Sequence, residues 1–279
     1  MASILILTHE FDEFAAAEYL IKGCFAPWQQ MGHRVRVSNG LPSTIDADVV
    51  VLHTDLTVVP KDYVEFAAQY PAGVNRNAVD IRKRLVSRFQ VRPDDDWTGP
   101  VIAKSDFNSG GLLERHHNWM AFVRNKPPPS PSSQVFTSYP IYASKSEVPD
   151  AIWSDPGLIV ERFMPERDEQ GYWVRFWIFF GDAGRCNRIC GPDPIVKGAN
   201  MIAREPAPIP EVLRAERERL GFDYGKFDFV VHEGQVVLLD ANRTPTGAAA
   251  ISDYQTREAA KLALGINGFL GKKANARRR

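Results

Sequence analysis

Residues 222–242, FDYGKFDFVVHEGQVVLLDAN, read as a β-ribbon, two β-branched and aromatic runs turning at Glu233-Gly234-Gln235. Strand side chains alternate, so Lys226 shares a face with Asp228, and Asp240 shares a face with Asn242. Register decides what such a ribbon can do. A three-residue turn sets Asp228 directly opposite Asp240 with both carboxylates on one side, whereas a two-residue turn makes them face apart. Two carboxylates face to face repel and raise each other's proton affinity. A divalent cation removes that penalty, and Mg²⁺ suits the donor set, since it takes one or two carboxylates, an amide oxygen such as that of Asn242, and substrate phosphates. The competing reading is a hairpin end that carries polar caps by chance.

The chain of 279 residues is long enough for two or three subdomains. With 34 basic and 34 acidic side chains its formal net charge is zero, so nothing global favours nucleic acid or an anionic membrane, and any phosphate binding must be local. Three cysteines cannot all pair, and a reducing cytoplasm fits them best. The opening MASILILTHEFDEF lacks the basic flank of a secretory signal and reads as a first strand. No stretch approaches the ~20 apolar residues that span a bilayer. The tail GKKANARRR reads as a solvated, frayed end.

ILILT (4–8), HRVRVS (33–38) and DVVVLHT (48–54) are strand-like. Phe14, Ala17, Ile21, Phe25 and Trp28 recur at helical spacing, with Pro27 marking a helix end, and a further helix is expected from Val79 to Phe89. This makes a small parallel α/β unit. After the turn-rich RPDDDWTGP come a strand ending at Lys104 and the loop Ser105–Gly111; NKPPPSPSSQ (125–134) is an exposed connection. GLIVERFM (157–164) and GYWVRFWIFFGD (171–182) are strands, the second apolar on both faces except for Arg175, which therefore needs a partner. Walker A, GxGxxG, HExxH and GxSxG patterns are absent. Cys186 and Cys190 read as core thiols rather than a metal pair, and His116-His117 as exposed.

Three motifs in order, Lys104 with its Gly loop, IVERFMPERD, and KFDFVV…LLDANRTPT, resemble the ATP-grasp superfamily, in the branch of the ribosomal-protein glutamate ligase and D-alanine–D-alanine ligase. The resemblance covers about residues 75–250. It implies a mixed α/β and α+β fold, in which two α+β subdomains clasp ATP behind a small parallel-sheet domain. The expected units are 1–75 (N-terminal), 76–164 and 165–270 (ATP-grasp), and a 271–279 tail. It also implies site residues. Lys104 and Lys83 match phosphate lysines, Ser109, Gly110 and Gly111 the loop over the triphosphate, and Glu161 the acid facing the adenine amine. Phe163 and Met164 match the hinge and Asp168 the ribose-binding acid. Asp228, Asp240 and Asn242 match the Mg²⁺ (or Mn²⁺) ligands, and Arg175 and Lys226 basic groups near the transferred phosphate. Two departures stand out. Asp240 replaces the usual glutamate, and Arg243 replaces a small residue; it either reaches a substrate carboxylate or covers the strand end. The implied activity is ATP-dependent carboxylate–amine ligation through an acyl phosphate. A small-molecule phosphotransferase and a non-catalytic nucleotide-binding module are the alternatives. The implied partners are ATP, a carboxylate and an amine, free or peptide-borne; a homodimer is compatible with this reading.

Overall fold

The computed structural model describes residues 1–247 and 253–270; the basic tail lies outside them. Strands β1 (Ser3–Thr8), β2 (Arg34–Asn39), β3 (Val49–Leu52) and β4 (Ala72–Val74) form a parallel sheet in the order β2-β1-β3-β4. The two central strands are apolar from Ile4 to Leu7 and from Val49 to Leu52 because both faces are covered. Ile4, Ile6, Val49 and Val51 pack toward Trp28 of helix α1 (Phe25–Gln30), while Leu5, Leu7, Val50 and Leu52 pack toward Tyr63 and Ala67 of α2 (Lys61–Ala68).

Two expected helices are much shorter than their periodicity. Residues 14–28 are broken because Tyr19 bridges to Thr246 and the Leu20 N–H donates to Pro245 O (2.9 Å). Helix α1 begins only at Phe25, and Pro27 sits in its first turn, where no intrahelical N–H is needed, rather than at its end. In the Val79–Phe89 stretch only α3 (Lys83–Val86) is helical. Val79 and Ile81 are taken up by backbone bonds to Val59 and Thr57, and Phe89 and Val91 by bonds to Arg162 and Val160.

A three-stranded sheet, order β6-β5-β7, comprises β5 (Val101–Ser105), β6 (Ile141–Tyr142) and β7 (Leu158–Arg162), with α5 (Asp150–Trp153) packed on it, while α4 (Leu112–Val123) follows β5 and turns its buried side chains to the first domain. The third sheet is antiparallel. It holds β8 (Glu166–Asp168), β9 (Gly171–Phe180), β10 (Ala183–Gly191), β11 (Ala203–Pro206), β12 (Tyr224–His232) and β13 (Gln235–Asn242), in the order β11-β10-β9-β12-β13, with β8 beside β9. Trp177, Phe179, Phe227 and Phe229 form its closed face, covered by Leu213 of α6 (Glu211–Arg219). The chain returns as α7 (Asp253–Ala263) and α8 (Asn267–Leu270), with Leu262, Ala263 and Ile266 joining the core under the first sheet. Among the described residues no helix is long and apolar enough to cross a membrane.

The ribbon's register resolves the question raised by its sequence. Its turn has two residues: His232 pairs with Gln235, and Glu233 and Gly234 both have positive φ (48° and 84°), as a type I′ turn requires. Taken alone, that turn would have set the acids on opposite faces. A bulge restores them. Phe229 pairs with Leu238 but Asp228 pairs with Asp240, so Leu239 is the extra residue, and the carboxylates stand opposite one another.

The return of the chain depends on one close approach. Gly265, in the 3₁₀ turn Leu264–Ile266, lies against the end of β9 so tightly that an added Cβ would fall 1.8 Å from Phe180 O. Gly265→Ala should therefore cost about 1–3 kcal/mol, measured as a lower denaturation midpoint at unchanged m-value.

Candidate functional site

The second and third sheets face each other across a cleft with a cavity volume of about 1120 Å³. Its floor is the open face of the third sheet, where Phe176 and Ile178 of β9 lie beside Lys226 and Asp228 of β12, followed by Asp240 and Asn242 of β13. Its roof carries Ile102 and Lys104 of β5 and Glu161 of β7. Lys83 enters from the start of α3, a helix fastened by Asp106, whose carbonyl accepts Lys83 N–H (3.0 Å) and whose carboxylate accepts Arg84 N–H (2.8 Å).

Each facing carboxylate has an ammonium partner. Lys83 Nζ lies 3.2 Å from Asp240 Oδ1 and donates to Phe107 O (3.0 Å); Lys226 Nζ lies 2.9 Å from Asp228 Oδ2. Burial pushes the Asp228 carboxyl up, Lys226 opposes this, and the Asp240 charge adds to it. Burial alone would lower both lysines, but the carboxylates beside them hold them above the usual range. Asn242 Oδ1 accepts Thr244 N–H at 2.8 Å and, more distantly, the Thr244 hydroxyl at 3.5 Å, which fixes the amide. Asp240 Oδ1 is buried, and Lys83 Nζ is the cation beside it. Among the described residues no cluster of three or more His, Cys, Asp or Glu is arranged for a metal. A cation here would draw on two carboxylates and one amide, completing its shell from outside the protein. That donor set fits Mg²⁺ or Mn²⁺.

At the roof, Lys104 Nζ and Glu161 Oε2 are 2.5 Å apart and both side chains are buried. Glu161 Oε1 has no partner, which leaves one acceptor aimed at whatever fills the cleft. Phe163, Met164 and Ser109 also line the cavity.

Five expected residues sit elsewhere. Arg175 does need a partner and has one: its guanidinium grips Glu166 through two nitrogens (2.7–3.0 Å), and Glu166, not Arg175, lines the cleft. Asp168 is exposed at the β8–β9 turn and accepts the Trp173 indole N–H (2.8 Å). Gly110 and Gly111 have positive φ and press against residues 134–137; a Cβ on Gly111 would lie 2.2 Å from Gln134 O. The glycine pair thus answers to the packing of the connection that follows rather than to the cavity. Arg243 faces away from the cleft and is completely buried. Conversely, sequence reading passed over Tyr139 and Asn108, both of which line the cavity. Burial pushes the Tyr139 phenol up, partly offset by Lys83.

His117 also departs from expectation. It is completely buried on the inner face of α4 with Glu114, while Trp119, Phe122 and Val123 point outward. Its Nε2 lies 3.1 Å from Asp55 Oδ1, and its Nδ1 lies 3.1 Å from His9 Nδ1, which also accepts Phe11 N–H. The Tyr19 hydroxyl lies between Asp12 (3.0 Å) and Asp55 (3.3 Å). A phenol donates once, so one of these acids must supply the second proton. Cys24, Cys186 and Cys190 are free and buried.

No family model and no curated protein sequence matches the chain. Solved structures do. The chain is similar to D-alanine–D-alanine ligase from Bacillus anthracis (TM-score 0.53, 11% identity, 100% of this chain and 99% of that one). It is similar to a RiPP-associated ATP-grasp ligase from Chryseobacterium gregarium in complex with ADP and a leader and core peptide (TM-score 0.53, 13% identity, 96% and 97%). It is similar to a RimK domain ATP-grasp protein from Sphaerobacter thermophilus DSM 20745 (TM-score 0.53, 13% identity, 97% and 100%). The fold is the ATP-grasp fold, with its parallel-sheet domain in front.

The Asp12–Tyr19–Asp55 network stands behind the cleft wall, which Tyr19 helps to line. Burial, then the charge of Asp55, pushes the Asp12 carboxyl up to about 8, so Asp12 holds the extra proton. A carboxyl that binds its proton more tightly when folded adds stability that is complete below its unfolded value, and that stability is lost as pH rises through about 8. Asp12→Asn should flatten the decline in unfolding free energy between about pH 5 and pH 8, followed by urea titration. An unchanged slope would move the proton to another group.

Proposed function

We propose that this chain is an ATP-dependent carboxylate–amine ligase of the ADP-forming type. One observation carries the reading. Lys83 and Lys104 from one side, and the Asp228–Asp240 pair with Asn242 from the other, converge on one cleft in a fold whose structural neighbours are ATP-grasp ligases. A triphosphate needs cations, and a facing acid pair needs a cation. ATP with Mg²⁺ or Mn²⁺ supplies both requirements at one place.

Asp228, Asp240 and Asn242 would hold the metal, which when bound offsets charge on the transferred phosphoryl group. Lys83 and Lys104 bind phosphate oxygens, and Glu161 Oε1 accepts from the adenine amine. A substrate carboxylate oxygen attacks the γ-phosphorus, the bridging bond to ADP breaks, and an acyl phosphate forms. The amine then attacks the acyl carbon, phosphate leaves, and the amine gives up a proton. Lys226 lies beside Asp228, where it can follow the transferred group. The protein's part is position and charge rather than covalent chemistry.

The units of this enzyme are an N-terminal domain over 1–75 and ATP-grasp subdomains over 76–164 and 165–270. The Chryseobacterium neighbour is complexed with a peptide, which supports a peptide-borne substrate, and the unpaired buried thiols suit a reducing cytoplasm.

ADP release should require a carboxylate and an amine together; release with one hydroxyl substrate alone would mark a phosphotransferase instead. Lys104→Ala and Asp240→Ala should each lower turnover by about 10²-fold or more with the circular dichroism unchanged, and Asp228→Asn should be inactive. Near-normal rates in either alanine variant would contradict the assignment.

A further inference from the structure

Arg243 is the first residue beyond Asn242. Alternation sends Asn242 into the cleft and Arg243 to the opposite side, where it is completely buried. Its guanidinium donates from Nε to Thr54 O (3.2 Å), from Nη2 to Leu56 O and from Nη1 to Ala78 O. All three acceptors are neutral carbonyls. A cation taken out of water without a carboxylate in contact is costly. What the guanidinium provides in return is a planar fork with fixed donor directions, which no ammonium or apolar chain reproduces.

The points it holds lead back to the cleft. In the gripped segment, the Thr57 hydroxyl accepts Asn108 N–H (2.9 Å), and Thr57 N–H donates to Glu114 (2.8 Å). Asn108 follows Phe107, whose carbonyl holds Lys83, and Lys83 meets Asp240. The contacts therefore close a ring: Asp240, Asn242, Arg243, the 54–57 segment, Asn108, Phe107, Lys83, and Asp240 again. The bulge at Leu239 interrupts the ladder just before Asp240, and pairing then resumes over Asp228–Asp240, Phe227–Ala241 and Lys226–Asn242, so Arg243 stands at the end of a short paired segment set off from the rest of the ribbon.

We propose that Arg243 is a positioning residue for the cation site, which fixes Asp240 and Asn242 against Lys83 by clamping the end of β13 to the N-terminal domain. The inference rests on the nucleotide–metal reading above. Its role is indirect, like that of the groups that orient metal ligands from behind.

Mn²⁺ binding in the presence of ADP, read by the loss of free-ion EPR signal, tests it without any assay of activity. R243K should fold and bind Mn²⁺ about 10–100-fold more weakly than the wild type, and added guanidinium should restore part of the affinity of R243A. Arg217 is a matched control, since it too holds three carbonyls, those of Phe222, Gly181 and Asp223, away from the cation corner. R217K should lose stability and keep Mn²⁺ affinity. Mn²⁺ binding by R243K as tight as that of the wild type, or an equal loss in R217K, overturns the proposal while leaving the nucleotide reading intact. If neither Arg243 variant folds, hydrogen exchange on the wild type decides. Amides 54–57 and 78 should exchange more slowly once Mn²⁺ and ADP are bound, and no change there refutes the clamp. Absence of Mn²⁺–ADP binding in the wild type removes the nucleotide reading and this inference with it.

Discussion

The structure turns on two carboxylates held face to face across a β-ribbon. Asp228 and Asp240 sit in a partly buried corner, where their mutual repulsion is weakly screened. Their opposition is built in, because the two-residue turn alone would separate them and the bulge at Leu239 reunites them. Much of the neighbouring architecture follows from neutralising that pair. Lys226 reaches Asp228 along the same strand face. Lys83 has to be brought from a different part of the chain, and it is, by a one-turn helix pinned to Asp106 and by a carbonyl of Phe107 that takes another of its protons. The helix is short for the same reason: the residues before and after it are committed to backbone pairing that carries Lys83 to the corner.

Residues whose role follows from alternation along one strand were legible in the sequence. The apolar faces of β9, the strand ends bearing Lys104 and Glu161, and the sharing of faces by Lys226 with Asp228 and by Asp240 with Asn242 all needed only a period of two. What could not be read depended on partners distant in the chain. The periodicity of 14–28 is helical, yet Tyr19 and Leu20 are claimed by Thr246 and Pro245. The Arg243 fork closes on residues about 165 to 190 positions earlier in the chain. His117 follows a polar neighbour on an exposed-looking helix, but α4 turns its aromatic residues outward because its inward face must satisfy Asp55 and Thr57. A bulge leaves no compositional mark in an apolar run such as VVLLD. The turn could be located from Glu-Gly, while the register remained a choice between two faces. Tyr139 follows a Pro/Ser stretch with no periodicity, so nothing local placed it at the cleft.

Under the ligase reading, the same ion pairs explain how a charged substrate can enter a corner that is already electrically balanced. Three ammonium groups, on Lys83, Lys104 and Lys226, each rest on a carboxylate, at Asp240, Glu161 and Asp228. A triphosphate arriving with a divalent cation offers each side a replacement: phosphate oxygens for the lysines, and the metal for the ribbon's acids. No charge need be left bare at any stage, so the desolvation penalty of an unpaired buried charge, several kcal/mol per ion, is avoided on entry and again on exit. Glu161 has a second buried oxygen without a partner, so it can keep one contact with Lys104 while making a new one. Such an exchange works only if the partners stay within reach of both states, which places the demand on geometry rather than on affinity. A ribbon whose acids could slide by one residue would strand them on the wrong face, and a ribbon end left unclamped beyond the bulge would let them drift from Lys83. The apolar closed face beneath β9 and β12 holds the ribbon from below, and the buried guanidinium of Arg243, with the Leu20–Pro245 bond and the Tyr19–Thr246 bridge just beyond it, ties its end to the domain in front.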